Sequence, residues 1–282
     1  MPIITRRTAT LTPENRRNGI DSSVYWVQAP AAVGRLLGSF EAFAALRHYR
    51  SDGILQGRSS RRSKSLVPLP ARKLLDTTGG AAVVEGLAVF GTALVISGWG
   101  RRKQQAVGSS LLFLSKKLAE LRNPFGGDGA DQMSDVICGY RILTIAIPVR
   151  NVSDDLFLRA VNAQVVVSYL ASGLAKVISS TWRSGNAIDL VLRTKLYGGS
   201  GTAALIRKYP TIGRLLSWST IGWETAYPLV YFMGPLPAKY FLLLIKGFHL
   251  GIAVTMGLPR FFWAFSSAHV AVEYVLRERG RR

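Results

Sequence analysis

The sequence predicts an all-α fold, a polytopic membrane helix bundle of about eight transmembrane helices. Three observations lead there. Hydrophobic types make up 48% of the 282 residues and charged types only 18%, and the mean hydropathy is +0.20. Soluble globular domains are more charged and less apolar. The apolar residues fall into runs long enough to cross a bilayer, which takes about 20 residues of helix. The basic surplus, a net charge of +20, lies between those runs rather than on one amphipathic surface. Lys and Arg flanking membrane spans explain that placement, so the lipid bilayer is the expected partner and nucleic acid is not.

Taken in order, residues 1–27 read as a polar, basic surface tail with Arg6, Arg7, Arg16 and Arg17. The transmembrane domain covers 28–277, and 278–282 form a basic C-terminal tail. The first span is 29–46, which carries Arg35 and Glu41. These lie six residues apart and off a common face, so each should find its own partner in the bundle. The basic stretch 47–73, including Arg58, Arg61, Arg62 and Lys64, is a solvated loop expected on the cytoplasmic side. Residues 79–99 span next, with Glu85 near the start and Gly and Ala suited to close packing. Arg101-Arg102-Lys103 stop that span on the opposite side from the 47–73 loop, so charge alone gives contradictory orientations and leaves topology open.

A shorter helix over 104–121 leads into the turn-rich loop 122–132, then a helix over 133–149. Asn151–Asp155 reads as a polar turn in which Ser153 could cap the next helix. After that helix, 186–197 is amphipathic, 198–201 is a flexible break and 202–209 a short helix. Spans over 211–233, 239–257 and 261–276 complete the set.

Composition removes several chemistries. The single cysteine, Cys138, allows no intrachain disulfide and no Cys-based metal site. His48, His249 and His269 have no ligand spacing between them, so no metal is expected. No phosphate loop, nucleophile elbow or cleavable signal peptide is evident.

The stretch 161–192 is the centre of the chain: an apolar, small-residue helix with Lys176 inside it, ending in Trp182-Arg183 and Gly185. An ionisable group in such a helix is costly and points to function. The plainer alternative is a lysine that snorkels to interface level at Trp182, six residues on, about 9 Å along a helix.

The wording around Lys176 adds a resemblance. Tyr169-Leu170-Ala171-Ser172-Gly173-Leu174-Ala175-Lys176, then Trp182-Arg183-Ser184-Gly185, resembles the horizontally transferred transmembrane (HTTM) domain family, which includes the vitamin K-dependent γ-glutamyl carboxylases. Phe248-His249-Leu250-Gly251, running on to Phe262-Trp263-Ala264, is similar to the family's Phe-His helix and the aromatic helix after it. Leu215-Leu216-Ser217-Trp218 with Glu224 and Pro228 is similar to its Ser-Trp…Glu…Pro helix. Asn123-Pro124 with Asp128–Gln132, Arg35-x-x-Gly38 and Tyr49–Gly53 also fit. The likeness runs from about Arg35 to about Val275.

The resemblance implies a catalytic base at Lys176 acting on reduced vitamin K or another quinone, with His249 as a second catalytic group. It implies Trp182, Trp218 and Phe248 on the quinone side and Arg35, Asp131 and Glu224 in support. It further implies an integral, multi-pass protein of a bacterial cell membrane that modifies a peptide presented by a partner subunit. A lysine base must be neutral, and apolar surroundings disfavour the charged form. The residues themselves leave alternatives open. His249 could be a core histidine bonded to a backbone carbonyl, with Lys246 on its face; Glu224 could be a buried partner for Lys176 or Arg214; Asp128 and Asp131 could only solvate and cap a loop. Two departures stand out. The animal carboxylases have a histidine near Asp131, and they continue into a large extramembrane region, so this chain is closer to short bacterial members of the sporulation-delaying-protein B type. A non-catalytic maturation or immunity factor for a secreted peptide is the second function class. A small-molecule transporter is the third, though no internal repeat supports it.

Overall fold

The structure is a computed structural model that describes residues 13–50, 52–57, 59–61, 67–122, 127–199 and 201–280. Every regular element among them is helical. The order is α1 (Pro13–Ala44), a 3-10 turn (Leu46–Tyr49), α2 (Leu69–Leu75), α3 (Thr78–Ser97), α4 (Arg102–Arg122), α5 (Gly129–Ile145) and α6 (Arg150–Ile178). Then follow α7 (Ser180–Arg183), α8 (Ala187–Val191), α9 (Gly201–Lys208), α10 (Pro210–Thr225), a 3-10 stretch (Tyr227–Phe232), α11 (Pro235–Met256) and α12 (Pro259–Arg279).

Among the described residues, three helices are long and apolar enough to cross a membrane: α3, α6 and α11. The others read as spans in the sequence stop short of that standard for identifiable reasons. α5 and α10 have only 17 and 16 residues, and α1, α4 and α12 carry polar and charged side chains along their length.

The long elements run alternately between two ends. At one end Arg150 of α6 holds Asp21 of α1 and the carbonyl of Gly100, Arg102 of α4 reaches the carbonyl of Ile147 after α5, and Tyr274 of α12 donates to Asp155. At the other end Arg260 of α12 meets Asp131 of α5, and Asp131 meets Lys116 of α4. The described residues of the 47–73 loop and of the α6–α10 connection lie at this second end; Arg101–Lys103 lie at the first, on the far side of α3 as the sequence requires.

α12 packs on α1, α5, α6 and α11 and is the central helix. Its middle is buried nearly all round, through Ala264, Phe265, Ala268, His269, Ala271 and Val272. Small residues permit the closest approaches. A Cβ on Gly91 of α3 would lie 2.9 Å from the carbonyl of Gly108 on α4. Outward-facing Leu143, Leu244 and Val254 leave apolar surface uncovered, compatible with contact to a bilayer.

Some boundaries differ from the sequence reading. α1 begins at Pro13, not near residue 29, because Ile20, Val24 and Val27 form an apolar face that packs into the core. The helix passes through Pro30. Residues 1–12, with Arg6 and Arg7, lie outside the described set, as do Arg58, Arg62, Lys64, the Asn123-Pro124 motif and 281–282. Asn151–Asp155 is not a turn but part of α6, whose N-cap is Val149. Ser153 instead donates to the carbonyl of Thr144. Asp128 does cap α5, accepting from the Asp131 N–H at 2.9 Å. Of the amphipathic stretch 186–197, only Ala187–Val191 is helical.

Candidate functional site

The geometry begins at Gly173. A Cβ there would fall 2.5 Å from the backbone nitrogen of Thr225, so only glycine lets α10 come this close to α6. That approach brings Glu224 to Lys176. Nζ lies 2.6 Å from Glu224 Oε2 and donates to Ser172 Oγ at 2.6 Å. The ammonium also sits 5.0 Å from the centroid of the Trp182 ring. Lys176 therefore turns inward to an acid on the neighbouring helix and does not run out along its own.

Trp182 belongs to α7, and the turn after it is pinned by α10. Trp218 Nε1 donates to the Arg183 carbonyl at 3.0 Å, and Ser217 Oγ donates to the Gly185 carbonyl at 3.2 Å. Gly185 has φ +77°, and a Cβ there would meet Arg214 at 2.9 Å. The Ser217-Trp218 pair thus fixes the turn that carries Trp182. Trp218 itself is 49% exposed and contributes nothing to the cavity described next.

His249 is buried on α11 and does not bond a backbone carbonyl. Its Nε2 lies 2.9 Å from the hydroxyl of Tyr169, and Nε2 of His269 on α12 lies 3.0 Å from the same hydroxyl. The His249 ring stacks on Phe265 at 4.4 Å with 6° between planes. Lys246 pairs with Glu273 at 2.7 Å rather than serving His249. Tyr169 is seven residues before Lys176, two helical turns on the same face of α6.

A cavity of about 1080 Å³ lies among α5, α6, α10 and α11, in the half of the bundle near the Lys176 end. Lys176, Glu224, Trp182, Phe248 and His249 all line it. Its far wall is apolar, with Ile188, Leu192, Ile206 and Met256. Where α4 and α5 line it, the wall includes Lys117 paired to Asp135 at 2.7 Å.

Arg35 and Asp131 lie apart from this cavity. Arg35 donates to Glu85 at 2.9 Å and to Ser115 at 2.9 Å, and Glu85 also accepts from Arg122 at 3.0 Å. Asp131 is held by Lys116 at 2.7 Å and Arg260 at 2.8 Å. Burial works to raise the Asp131 carboxyl, but the hydrogen bond and charge of Lys116 and the charge of Arg260 outweigh it and hold the group below the usual carboxylate range. Both residues tie helices together. Glu41 has Arg260 3.9 Å away, so Arg35 and Glu41 do have separate partners.

Tyr169 and His269 were not singled out as site residues from sequence. The available signals were Tyr169's place on the Lys176 face and the lone histidine in the middle of α12. Among the described residues no group of His, Cys, Asp and Glu is assembled as a metal site would be. Comparison with family models, with curated proteins and with solved structures gives no match for this chain.

Proposed function

We propose that this chain is a multi-pass protein of a bacterial cell membrane, with about eight spanning helices, that binds a reduced quinone and uses Lys176 as a base toward it. One observation carries the reading: Lys176, Glu224, Trp182, Phe248 and His249, drawn from four separate helices, line one cavity. The resemblance to HTTM proteins also points to these five, along with Trp218, Arg35 and Asp131, which do not line the cavity. The surroundings fit such a ligand. The volume is of the size that takes a ring with part of an isoprenoid tail, the walls are largely apolar and aromatic, and His249 Nδ1 has no hydrogen-bond partner among the described residues.

When bound, a reduced quinone supplies an ionisable ring hydroxyl and the electrons for oxygen. The chain's part concerns the proton. An ammonium locked to a carboxylate is no base. Transfer of one proton from Lys176 Nζ to Glu224 Oε2, across their 2.6 Å contact, gives a neutral amine and a neutral acid. Low local dielectric favours the uncharged pair over separated charges. Rotation of the terminal C–C bond then turns the amine lone pair to the cavity, while Trp182 limits where it can go. The peptide such chemistry would modify, and the subunit presenting it, belong to the same proposal. So does orientation: with the basic 47–73 loop cytoplasmic, the cavity lies in the cytoplasmic half.

Purified protein in nanodiscs should consume oxygen with reduced menadione faster than nanodiscs alone. Lys176→Ala should lose that excess while remaining folded, and added methylamine should restore part of it. Oxygen uptake in Lys176→Ala equal to wild type would remove Lys176 from the mechanism.

A further inference from the structure

At the opposite end of the bundle from the cavity, the turn between α3 and α4 carries three consecutive cations that answer to no acid. Gly100, in the left-handed region at φ +67°, reverses the chain there, and its carbonyl is held by Arg150 at 3.2 Å. Arg101, Arg102 and Lys103 follow. Elsewhere the bundle pairs its cations. Arg35, Arg122, Arg141, Arg150, Lys116 and Lys246 each meet a carboxylate. Among the described residues no carboxylate does this for Arg101, Arg102 or Lys103. The first turn of α4 holds no acidic residue either, although the positive end of a helix dipole favours one.

Two neighbours in this stretch are already engaged. Arg102 Nη2 donates to the carbonyls of Thr144, Ile145 and Ile147 at 3.2, 3.0 and 2.8 Å and to Ser153 Oγ at 2.7 Å, closing the end of α5. Gln104 Nε2 donates to the Leu94 carbonyl at 3.1 Å and to Ser97 Oγ at 2.8 Å. These bonds tie α3, α4 and α5 into a fixed base. Arg101 and Lys103 are exposed and have no partner among the described residues. With Arg102, Gln104 and Ile145 they line a surface pocket of about 480 Å³.

The surface around the pocket is apolar and aromatic. Val107, one turn below Lys103 on the same face of α4, is 52% exposed, and Leu143 of α5 is 71% exposed. Trp99, two residues before Arg101, packs on Tyr25 at 4.6 Å, and the Tyr25 hydroxyl donates to the Ile96 carbonyl at 3.1 Å. Trp99 and Trp26 are both exposed. Exposed tryptophans of a membrane protein mark headgroup level. The unpaired cations thus stand at that level with uncovered apolar surface beneath them, a layout that suits a phosphate attached to acyl chains.

We propose that this pocket binds the phosphate of an anionic phospholipid, with Arg101 and Lys103 on the phosphate oxygens and the acyl chains along Val107 and Leu143. Such a site rests on the bilayer-spanning part of the proposed function and is independent of the quinone. It also explains charge on the unexpected face. With the 47–73 loop cytoplasmic, Arg101–Lys103 face outward, where the positive-inside rule leaves few Lys and Arg. A lipid phosphate supplies the counter-charge that the chain itself lacks there.

Native mass spectrometry of the protein in neutral detergent counts bound lipid directly. Titrated with dioleoylphosphatidylglycerol, wild type should hold one lipid more tightly than any later one. Dioleoylphosphatidylcholine, with the same chains and no net charge, should show no such first site. Arg101→Gln and Lys103→Gln should each weaken the first dioleoylphosphatidylglycerol about fivefold, the effect of one cation beside a phosphate surface. Neither side chain bonds another part of the bundle among the described residues, so both unfolding midpoints should stay at the wild-type value. Lys239→Gln removes one exposed charge at the same end, at the start of α11 and outside the pocket, and should leave the first lipid unchanged. An equal loss in Lys239→Gln would reduce the effect to general surface charge and overturn the proposal. Wild-type affinity in both Arg101→Gln and Lys103→Gln would do the same. Glycerol phosphate, the phosphate without its chains, should not displace the lipid at equal concentration; full displacement would mean a site for free phosphate and refute the lipid.

Discussion

The two halves of the bundle bury charge in different ways. Between α1, α3 and α4, Arg35, Arg122 and Glu85 form a closed set. Glu85 accepts from both guanidinium groups, Ser115 takes another donor, and facing glycines bring α3 and α4 together without a gap. Between α6, α10 and α11, Lys176 and Glu224 also pair, but on the wall of a cavity of about 1080 Å³. The first arrangement borders only a small pocket of about 10 Å³ and ties α1, α3 and α4 together. The second leaves an acid–base pair bordering open space. A charge inside an apolar helix is thus a weak guide to function alone. What separates the two cases is whether the pair adjoins volume a ligand could fill.

Three substitutions probe that contrast. Glu85→Gln should have the largest effect. It leaves Arg35 and Arg122 buried without their counter-charge, and breaking a buried pair from one side costs about 3–5 kcal/mol. Thermal unfolding in detergent should show a large loss in midpoint, with Glu224→Gln, beside the cavity, losing much less. Equal losses would erase the distinction between the halves.

Gly173→Ala should act on the cavity half alone. The added methyl group meets the Thr225 backbone, so α6 and α10 must part, and overpacking of this kind costs about 1–3 kcal/mol. Separation of Lys176 from Glu224 should then reduce quinol oxidation far more than it lowers the unfolding midpoint. Loss of both in proportion would mean that the α6–α10 contact is only structural.

Asp131→Asn should have the smallest effect, and one dependent on pH. The folded carboxyl is held below its unfolded value of about 3.9 by Lys116 and Arg260. Its ionisation therefore adds stability above that value and loses it as pH falls through the folded value. The midpoint difference between wild type and Asp131→Asn should be flat from neutral pH to about pH 5, begin to shrink near pH 4, and vanish only once pH has passed below the folded value. A difference that grows on acidification would contradict this account of the Lys116–Asp131–Arg260 tie.

The helical class was legible because apolar runs and basic connections are composition-level signals. The start of α1 was not, because Arg16, Arg17 and Asp21 hide a face on which only Ile20, Val24 and Val27 are apolar. Ser153 as a cap misled for a related reason: the helix had already begun at Arg150, and the hydroxyl was needed by a neighbouring carbonyl. At the site, Lys176, Glu224 and His249 were legible as costly residues in apolar helices. Their meeting depends on Gly173 and on which helices are neighbours, and no local pattern encodes that. Arg35 carried the same signal as Lys176 and went elsewhere, to Glu85; Asp131, read in a turn-rich loop, pairs with Lys116 and Arg260. His269 was passed over because a lone histidine has no spacing to read; only the fold brings it to Tyr169.

The central claim is that Lys176 gives up and takes protons at the cavity, and Lys176→Arg tests it most directly. Arginine can keep an ion pair with Glu224, so the bundle should fold as in wild type, but it stays protonated and cannot act as a base. Oxygen uptake with reduced menadione in nanodiscs should fall about a hundredfold or more, the usual contribution of a general base, with the unfolding midpoint little changed. Wild-type oxygen uptake in Lys176→Arg would contradict the account and leave the Lys176–Glu224 pair as a structural clamp between α6 and α10.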